Sequence, residues 1–324
     1  MWHEAHNYRV RIHDFLSSYE KRTLFHRVFI LFTSSPFFLH SADILLRWCC
    51  YLQFFIACSV PLGVKVGYSF MLYSLFFADK RHGLLALTIF SFLLFLGILL
   101  NPKPDLLSQD HELLGQVFTV LSESAGNPYF LITTSLLCVL PLVMKYKPAS
   151  WCVLVVPFAV LLGLSFATKT GLKQVSEVAR PYVYQLQDLG VVDSTEAFYR
   201  LSTQEKASAV EQASDKVSEW RLGHWLGETN YSLPSGHTLF AALCVAFWGG
   251  FLLREKHYVL AAVLIVWGCG VGWSRIWLGM HWHNDLLVSV LCAFGLYLLV
   301  PMTMTLVKSS TLSNNEPEKV LEGK

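Results

Sequence analysis

Tyr231–Thr238 reads Y-S-L-P-S-G-H-T, and an uncharged run from Thr238 to Leu253 follows it directly. A long polar segment ends here and a membrane-type helix begins, so Ser235, Gly236 and His237 fall at a first helical turn. The first N–H groups of a helix have no intrahelical partner and carry partial positive charge, which suits a phosphate oxyanion. Gly236 lets the backbone approach a ligand closely, and His237 offers a proton donor or acceptor near neutral pH. The same residues also make an ordinary turn and N-cap, so the stretch gains its meaning from what flanks it.

The flanks are apolar. Over 324 residues the chain is 54% hydrophobic and 15% charged, with a mean hydropathy of +0.45. A soluble domain carries about 25% charged residues. The expected fold class is therefore all-α, a polytopic membrane protein. A net charge of +2 leaves no nucleic-acid footprint. The eight cysteines all lie in apolar stretches and form neither a disulfide framework nor a zinc spacing.

Spans follow from the apolar runs. Gly83 to Leu100, Ala125 to Met144, Ala149 to Thr168, Thr238 to Leu253, Tyr258 to Gly279 and Leu286 to Val307 each approach the roughly 20 residues a spanning helix needs. This predicts a six-span helical bundle core over residues 80–308. Lys80 with Arg81, Lys145 with Lys147, Arg254 with Lys256, and Lys308 mark alternate ends, and the positive-inside rule places these in the cytoplasm. The opposite, periplasmic or exterior, face receives the Asn101–Gly126 loop, the long segment after Thr168 and the turn from His281 to Asp285. Trp273, Trp277 and Trp282 cluster there as interfacial aromatics do. Between the third and fourth spans lies a polar segment of 49 residues, Tyr182 to Asn230. It predicts one or two amphipathic helices on the membrane over the site, with a capping box at Ser202 and Glu205 and a stripe of Val210, Ala213, Val217 and Trp220; a plain surface subdomain is a second reading, compatible with the first.

Residues 1–79 form an N-terminal extension with two readings. One is an extra span between Trp48 and Ala78, where Lys65 is the only charge; the other is an over-extended gene assignment with the biological start at Met71. An intact mass beginning at Met1 would end the second. No secretory signal pattern is present. The polar tail 309–324 is expected to be disordered.

Three polar stretches emerge on one face by span parity. Lys173 and Arg180 leave the third span, Pro234–His237 enter the fourth, and Ser274, Arg275, His281 and Asp285 bracket the turn between the last two. A cation inside a span costs roughly 2.5–3.5 kcal/mol on insertion scales, so each must snorkel or find a partner. Three cations beside two histidines and a carboxylate favour a shared anion. His281 and Asp285 stand four apart, so the carboxylate can orient one imidazole nitrogen and leave the other free. His281, His283 and Asp285 also read H-x-H-x-D, a possible metal set, but on a helix the two histidines diverge by about 200°. The metal-free site is preferred.

K-x6-R-P from Lys173 to Pro181, P-S-G-H from Pro234 to His237 and S-R-x5-H-x3-D from Ser274 to Asp285 together resemble the three-part signature of the type 2 phosphatidic acid phosphatase superfamily. R-P-Y-V at Arg180 and L-G-M-H-W at His281 make residues 80–308 most similar to its bacterial phosphatidylglycerophosphatase B branch. The resemblance implies hydrolysis of a lipid phosphate monoester or pyrophosphate through a phosphohistidine, with no cofactor or metal. His281 would attack phosphorus, Asp285 would orient it, and His237 would protonate the leaving oxygen. Lys173, Arg180, Arg275 and the backbone at Ser235 and Gly236 would bind the phosphate.

Implied substrates are phosphatidylglycerophosphate, undecaprenyl pyrophosphate, phosphatidic acid, lysophosphatidic acid and diacylglycerol pyrophosphate. The implied setting is the bacterial cytoplasmic (inner) membrane with the site facing the periplasm. The partners are lipid substrate and bilayer, with no nucleic acid and no obligate protein partner. The alternatives are a lipid phosphotransferase acting from a polyprenyl pyrophosphate and a non-catalytic lipid-phosphate binding or transport protein.

Overall fold

A computed structural model describes residues 80–100, 104–108, 112–146 and 148–301; the extension 1–79 and the tail 309–324 lie outside the described residues. Among the described residues the protein is helical and has no strand. The helices are α1 (Arg81–Leu100), α2 (Glu112–Ser124), α3 (Phe130–Val143), α4 (Pro148–Ser176), α5 (Pro181–Asp188), α6 (Thr195–Arg200), α7 (Thr203–Glu211), α8 (Glu219–Gly227), α9 (Gly236–Cys244), α10 (Gly250–Arg254), α11 (Tyr258–Trp277) and α12 (His283–Leu299). A π-helical segment, Val245–Gly249, joins α9 to α10 into one continuous rod.

That rod is the hub. Over its membrane-length window 83% of Gly236–Arg254 is buried, against 28% for α1, which fits a central helix ringed by neighbours rather than by lipid. It packs on α1, α4, α11 and α12. Close approach is set by small residues: a Cβ on Gly250 would come within 2.5 Å of the Gly83 backbone, so α1 and α10 meet glycine to glycine. Phe158 on α4 stacks its ring edge on Trp248, and Trp273 on α11 donates to the Leu94 carbonyl at 3.1 Å. At the other end Lys80 donates Nζ to the Leu298 carbonyl of the last turn of α12 at 2.6 Å, satisfying an acceptor that a helix end leaves open.

Four stretches of helix are long and apolar enough to cross a membrane: Arg81–Leu100, Trp151–Asp188, Gly236–Arg254 and Tyr258–Trp277. The expected second and sixth spans are shorter apolar helices, Phe130–Val143 and His283–Leu299. The second overran because Ala125–Tyr129 is uncharged and was joined to the run, although its Gly126, Asn127 and Pro128 are turn residues and the backbone turns there. The third underran: α4 continues to Ser176, carrying Lys169 and Lys173 beyond the expected end at Thr168. The Asn101–Gly126 loop holds a helix, α2, whose Phe118 ring meets Trp277 at 5.3 Å and whose Ser124 Oγ accepts from Trp267 Nε1 at 2.9 Å.

The polar segment holds four helices rather than one or two: α5–α8 build a small cap with its own core of Tyr182, Val183, Leu186, Phe198, Val210 and Trp225. Tyr182 and Trp225 stack at 5.0 Å, and Trp225 Nε1 donates to the Leu278 carbonyl at 2.8 Å, fastening the cap to the α11–α12 turn. The capping box at Ser202 and Glu205 forms as expected, with Ser202 N to Glu205 Oε2 at 2.8 Å. Val210, Ala213 and Val217 point into this core. Trp220, the fourth residue of the expected stripe, stands outside this core.

Candidate active site

Each site side chain is fixed by the end of an element. Arg180 is the N-cap of α5, and Pro181 at the first helical position holds its extended backbone. Its side chain is fully buried and spends its donors on Asn230 O (2.6 Å), Asn230 Oδ1 (2.6 Å), Met280 O (2.9 Å) and Glu228 Oε2 (3.1 Å). Nη1 also faces His281 Nε2 at 3.4 Å. Arg275, in the last turn of α11, is equally buried, with Nη1 on Ser122 Oγ and Nη2 on Glu228 Oε1, both at 2.6 Å. Its Nε is buried with no partner.

His281 lies in the turn before α12, and Asp285 is the third residue of that helix. Their contact is thus made across a helix start. His281 Nδ1 faces Asp285 Oδ2 at 3.3 Å, and the same oxygen accepts from Trp282 N at 2.8 Å and, in a short bond, from Ser232 Oγ. Ser232 Oγ also lies 3.3 Å from His281 Nδ1. Burial first, then Arg180, Arg275 and Lys173, push the His281 imidazolium well below the usual histidine range. The ring turns Nδ1 to the carboxylate and Nε2 to Arg180.

The P-S-G-H stretch closes the other side. Ser235 is the N-cap of α9 and its Oγ accepts from Thr238 N at 3.3 Å and from Thr238 Oγ1 at 2.9 Å, so its hydroxyl is committed to the cap. A Cβ on Gly236 would come within 2.6 Å of Lys169 Cδ, and one on Gly126 within 2.6 Å of His237 Nε2. Both glycines make room for the cavity wall. Lys173 donates to Asn230 Oδ1 at 3.2 Å and, in a short bond, to the Tyr231 carbonyl. A cavity of about 390 Å³ opens here. His237, Glu228, His224, Lys169 and Lys173 form its polar wall, and Phe130, Phe166, Leu239 and Phe240 its apolar wall.

Every sequence-predicted site residue, Lys173, Arg180, Ser235, Gly236, His237, Arg275, His281 and Asp285, therefore gathers at one end of the bundle. Ser274, expected alongside them, turns its hydroxyl to the Val271 carbonyl of its own helix. Among the described residues no three His, Cys, Asp or Glu side chains gather as a metal set.

Four residues were missed. Ser232 sat inside the anchoring stretch, read only as turn. Glu228 and Asn230 ended the polar segment without a motif, and Ser122 lay in a presumed loop. Glu228 is the most consequential: its two oxygens bridge the two arginines, and Oε1 stands 3.8 Å from His237 Nε2. Burial alone would raise its pKa, but Arg275 foremost, with His237 and Arg180, holds it well below the carboxylate range. Only distance in sequence hid it.

The sequence profile of the PAP2 superfamily matches residues 154–307. Phosphatidylglycerophosphatase B of Escherichia coli (strain K12) is 35% identical over 141 residues, 43% of this chain and 54% of that protein. The protein of the same name from Haemophilus influenzae is 33% identical over 183 residues, 54% of this chain and 76% of that protein. The chain thus spans about half the length of the first of these relatives and three-quarters of the second.

Proposed function

This chain belongs to the PAP2 superfamily, and on that premise we propose that it is an integral membrane lipid phosphatase that works through a phosphohistidine without a metal. One observation carries the reading. His281 turns Nδ1 to Asp285 and holds Nε2, the candidate nucleophile, 3.4 Å from the Arg180 guanidinium, so nucleophile and anion-binding group adjoin. In the first step the Nε2 lone pair forms the N–P bond while the P–O ester bond breaks, and His237 gives its proton to the leaving oxygen. Asp285 stabilises the imidazolium that forms. In the second, His237 takes a proton from water, the water oxygen bonds to phosphorus and the N–P bond breaks, returning neutral His281.

Arg180, Arg275, with its unspent Nε, and Lys173 hold the non-bridging oxygens, together with backbone N–H groups at the start of α9. The apolar wall of Phe130, Phe166, Leu239 and Phe240 suits a substrate whose tail remains in the bilayer. Phosphatidylglycerophosphate, undecaprenyl pyrophosphate, phosphatidic acid, lysophosphatidic acid and diacylglycerol pyrophosphate all meet that description. Counting the two shorter apolar helices as spans gives six, and the positive-inside rule applied to the basic ends supports a site on the periplasmic face of the cytoplasmic membrane.

Phosphate release from phosphatidylglycerophosphate and undecaprenyl pyrophosphate in detergent with EDTA, beside His281→Ala, tests the reading. Release that survives EDTA and disappears in the variant is expected. Release abolished by EDTA would sink the metal-free mechanism, and transfer to an acceptor lipid without free phosphate would replace hydrolysis with phosphotransfer.

A further inference from the structure

Glu228 occupies the place the phosphate needs. Its Oε2 lies 3.1 Å from Arg180 Nη2 and its Oε1 2.6 Å from Arg275 Nη2, with His237 Nε2 at 3.8 Å. These are the groups assigned above to the substrate's anionic oxygens and its leaving group. Two anions cannot share the same pair of guanidinium N–H groups, and like charges held a few ångströms apart in a buried site repel strongly. The carboxylate must therefore leave when a phosphate arrives.

The surroundings give it the means. Glu228 follows the last residue of α8 and its side chain is 30% exposed at the cavity wall, so a rotamer change moves it without moving the helix. One turn earlier on the same helix face stands His224, on the wall of the same cavity, with a buried Nε2 that has no hydrogen-bond partner. A buried ring nitrogen without a partner is costly to maintain, and a neutral imidazole protonated on Nε2 is a suitable donor to a carboxylate.

Resting on the lipid-phosphatase reading, we propose that Glu228 is an internal competitor for the phosphate site, displaced by substrate phosphate onto His224 Nε2, and that this exchange sets the affinity for phosphate. No bond is made or broken in the exchange. In the resting state Glu228 neutralises two buried arginines that would otherwise repel one another. When phosphate arrives it takes over that neutralisation, and His224 receives the displaced carboxylate. The observed affinity is the intrinsic affinity reduced by the fraction of molecules whose cradle is open.

The test is calorimetric titration of the full chain in detergent with inorganic phosphate, for the natural sequence, Glu228→Gln, His224→Phe and the double variant. Glu228→Gln should tighten phosphate binding about tenfold or more, because the cradle is then open in most molecules. His224→Phe should weaken binding, and should add nothing once Glu228 is Gln. Unchanged or weaker binding by Glu228→Gln at an unchanged melting temperature would overturn the competitor role. Equal effects of His224→Phe in both backgrounds would overturn the exchange onto His224.

Should Glu228→Gln fail to fold, Glu228→Asp decides, since the shorter arm keeps its charge but cannot bridge both arginines. It should also tighten binding, and the proposal falls if it does not. Failure of the underlying reading looks different. The natural sequence would then release no phosphate from any lipid phosphate, and no variant would bind phosphate, overturning both; normal release with unshifted affinities overturns this proposal alone.

Discussion

Replacing Arg275 by alanine separates the cost to the fold from the cost to the chemistry. The side chain is fully buried and makes two hydrogen bonds of 2.6 Å, to Ser122 Oγ and Glu228 Oε1, while its Nε has no partner. Breaking an isolated buried ion pair costs about 3–5 kcal/mol because a charge is left uncompensated. Glu228 keeps Arg180 at 3.1 Å and is 30% exposed, so the loss here should be smaller, about 1–3 kcal/mol. The protein should still fold with a lower melting temperature. Turnover should suffer more, since a donor aimed at a developing oxyanion is worth about 10²–10³ in rate.

The assay is steady-state phosphate release from phosphatidylglycerophosphate in detergent micelles, with thermal unfolding of the same preparation. Arg275→Lys keeps the charge but not the planar fork, so it should recover only part of the rate. A folded Arg275→Ala protein turning over within about threefold of the natural sequence would refute the shared-anion argument, since one cradle donor is expected to be worth far more.

Asp285→Asn should lower turnover by two orders of magnitude or more, about the scale lost when a carboxylate orienting a catalytic histidine is amidated, while Ser232→Ala, which removes one partner of the same oxygen, should cost less. Kinetics of the two variants at saturating substrate check the order. Gly126→Ala would put a methyl group 2.6 Å from His237 Nε2 and should reduce turnover at least tenfold, the scale of a misplaced proton-transfer group, with little change in melting temperature; equal turnover would remove Gly126 from the site. Stability should fall on acidification. The pKa of His224 is pushed down to about 4 by burial and Arg275, so between roughly pH 6.5 and 4 the unfolded chain binds a proton that the folded one does not. Unfolding free energy should therefore decrease as pH drops through that window, and His224→Phe should flatten the decrease in a denaturant titration.

Much of the site was legible because its chemistry is concentrated at helix ends. Lys173, Arg180, Ser235, Gly236, His237, Arg275, His281 and Asp285 all stand where an apolar run meets polar sequence, and span parity alone brings such ends to one face. The capping box at Ser202 was equally readable, because a cap is a contact between residues three apart. Interior lengths were harder. Counting charges alone joined the uncharged turn residues Gly126, Asn127 and Pro128 to a span, and it stopped at Lys169, short of the final turns of α4.

What the sequence by itself determined is the set of chemical groups and the end of the bundle that carries them, since burial of apolar runs and local capping act over a few residues. Only the tertiary structure decided which groups meet. Glu228 between Arg180 and Arg275, Ser122 under Arg275, and Ser232 on Asp285 are separated by 47 to 153 positions in the chain. No local pattern encodes such pairs. Buried charges must find partners wherever packing brings them, and in this protein the cap of α5–α8 folds its last acidic residue between two buried arginines.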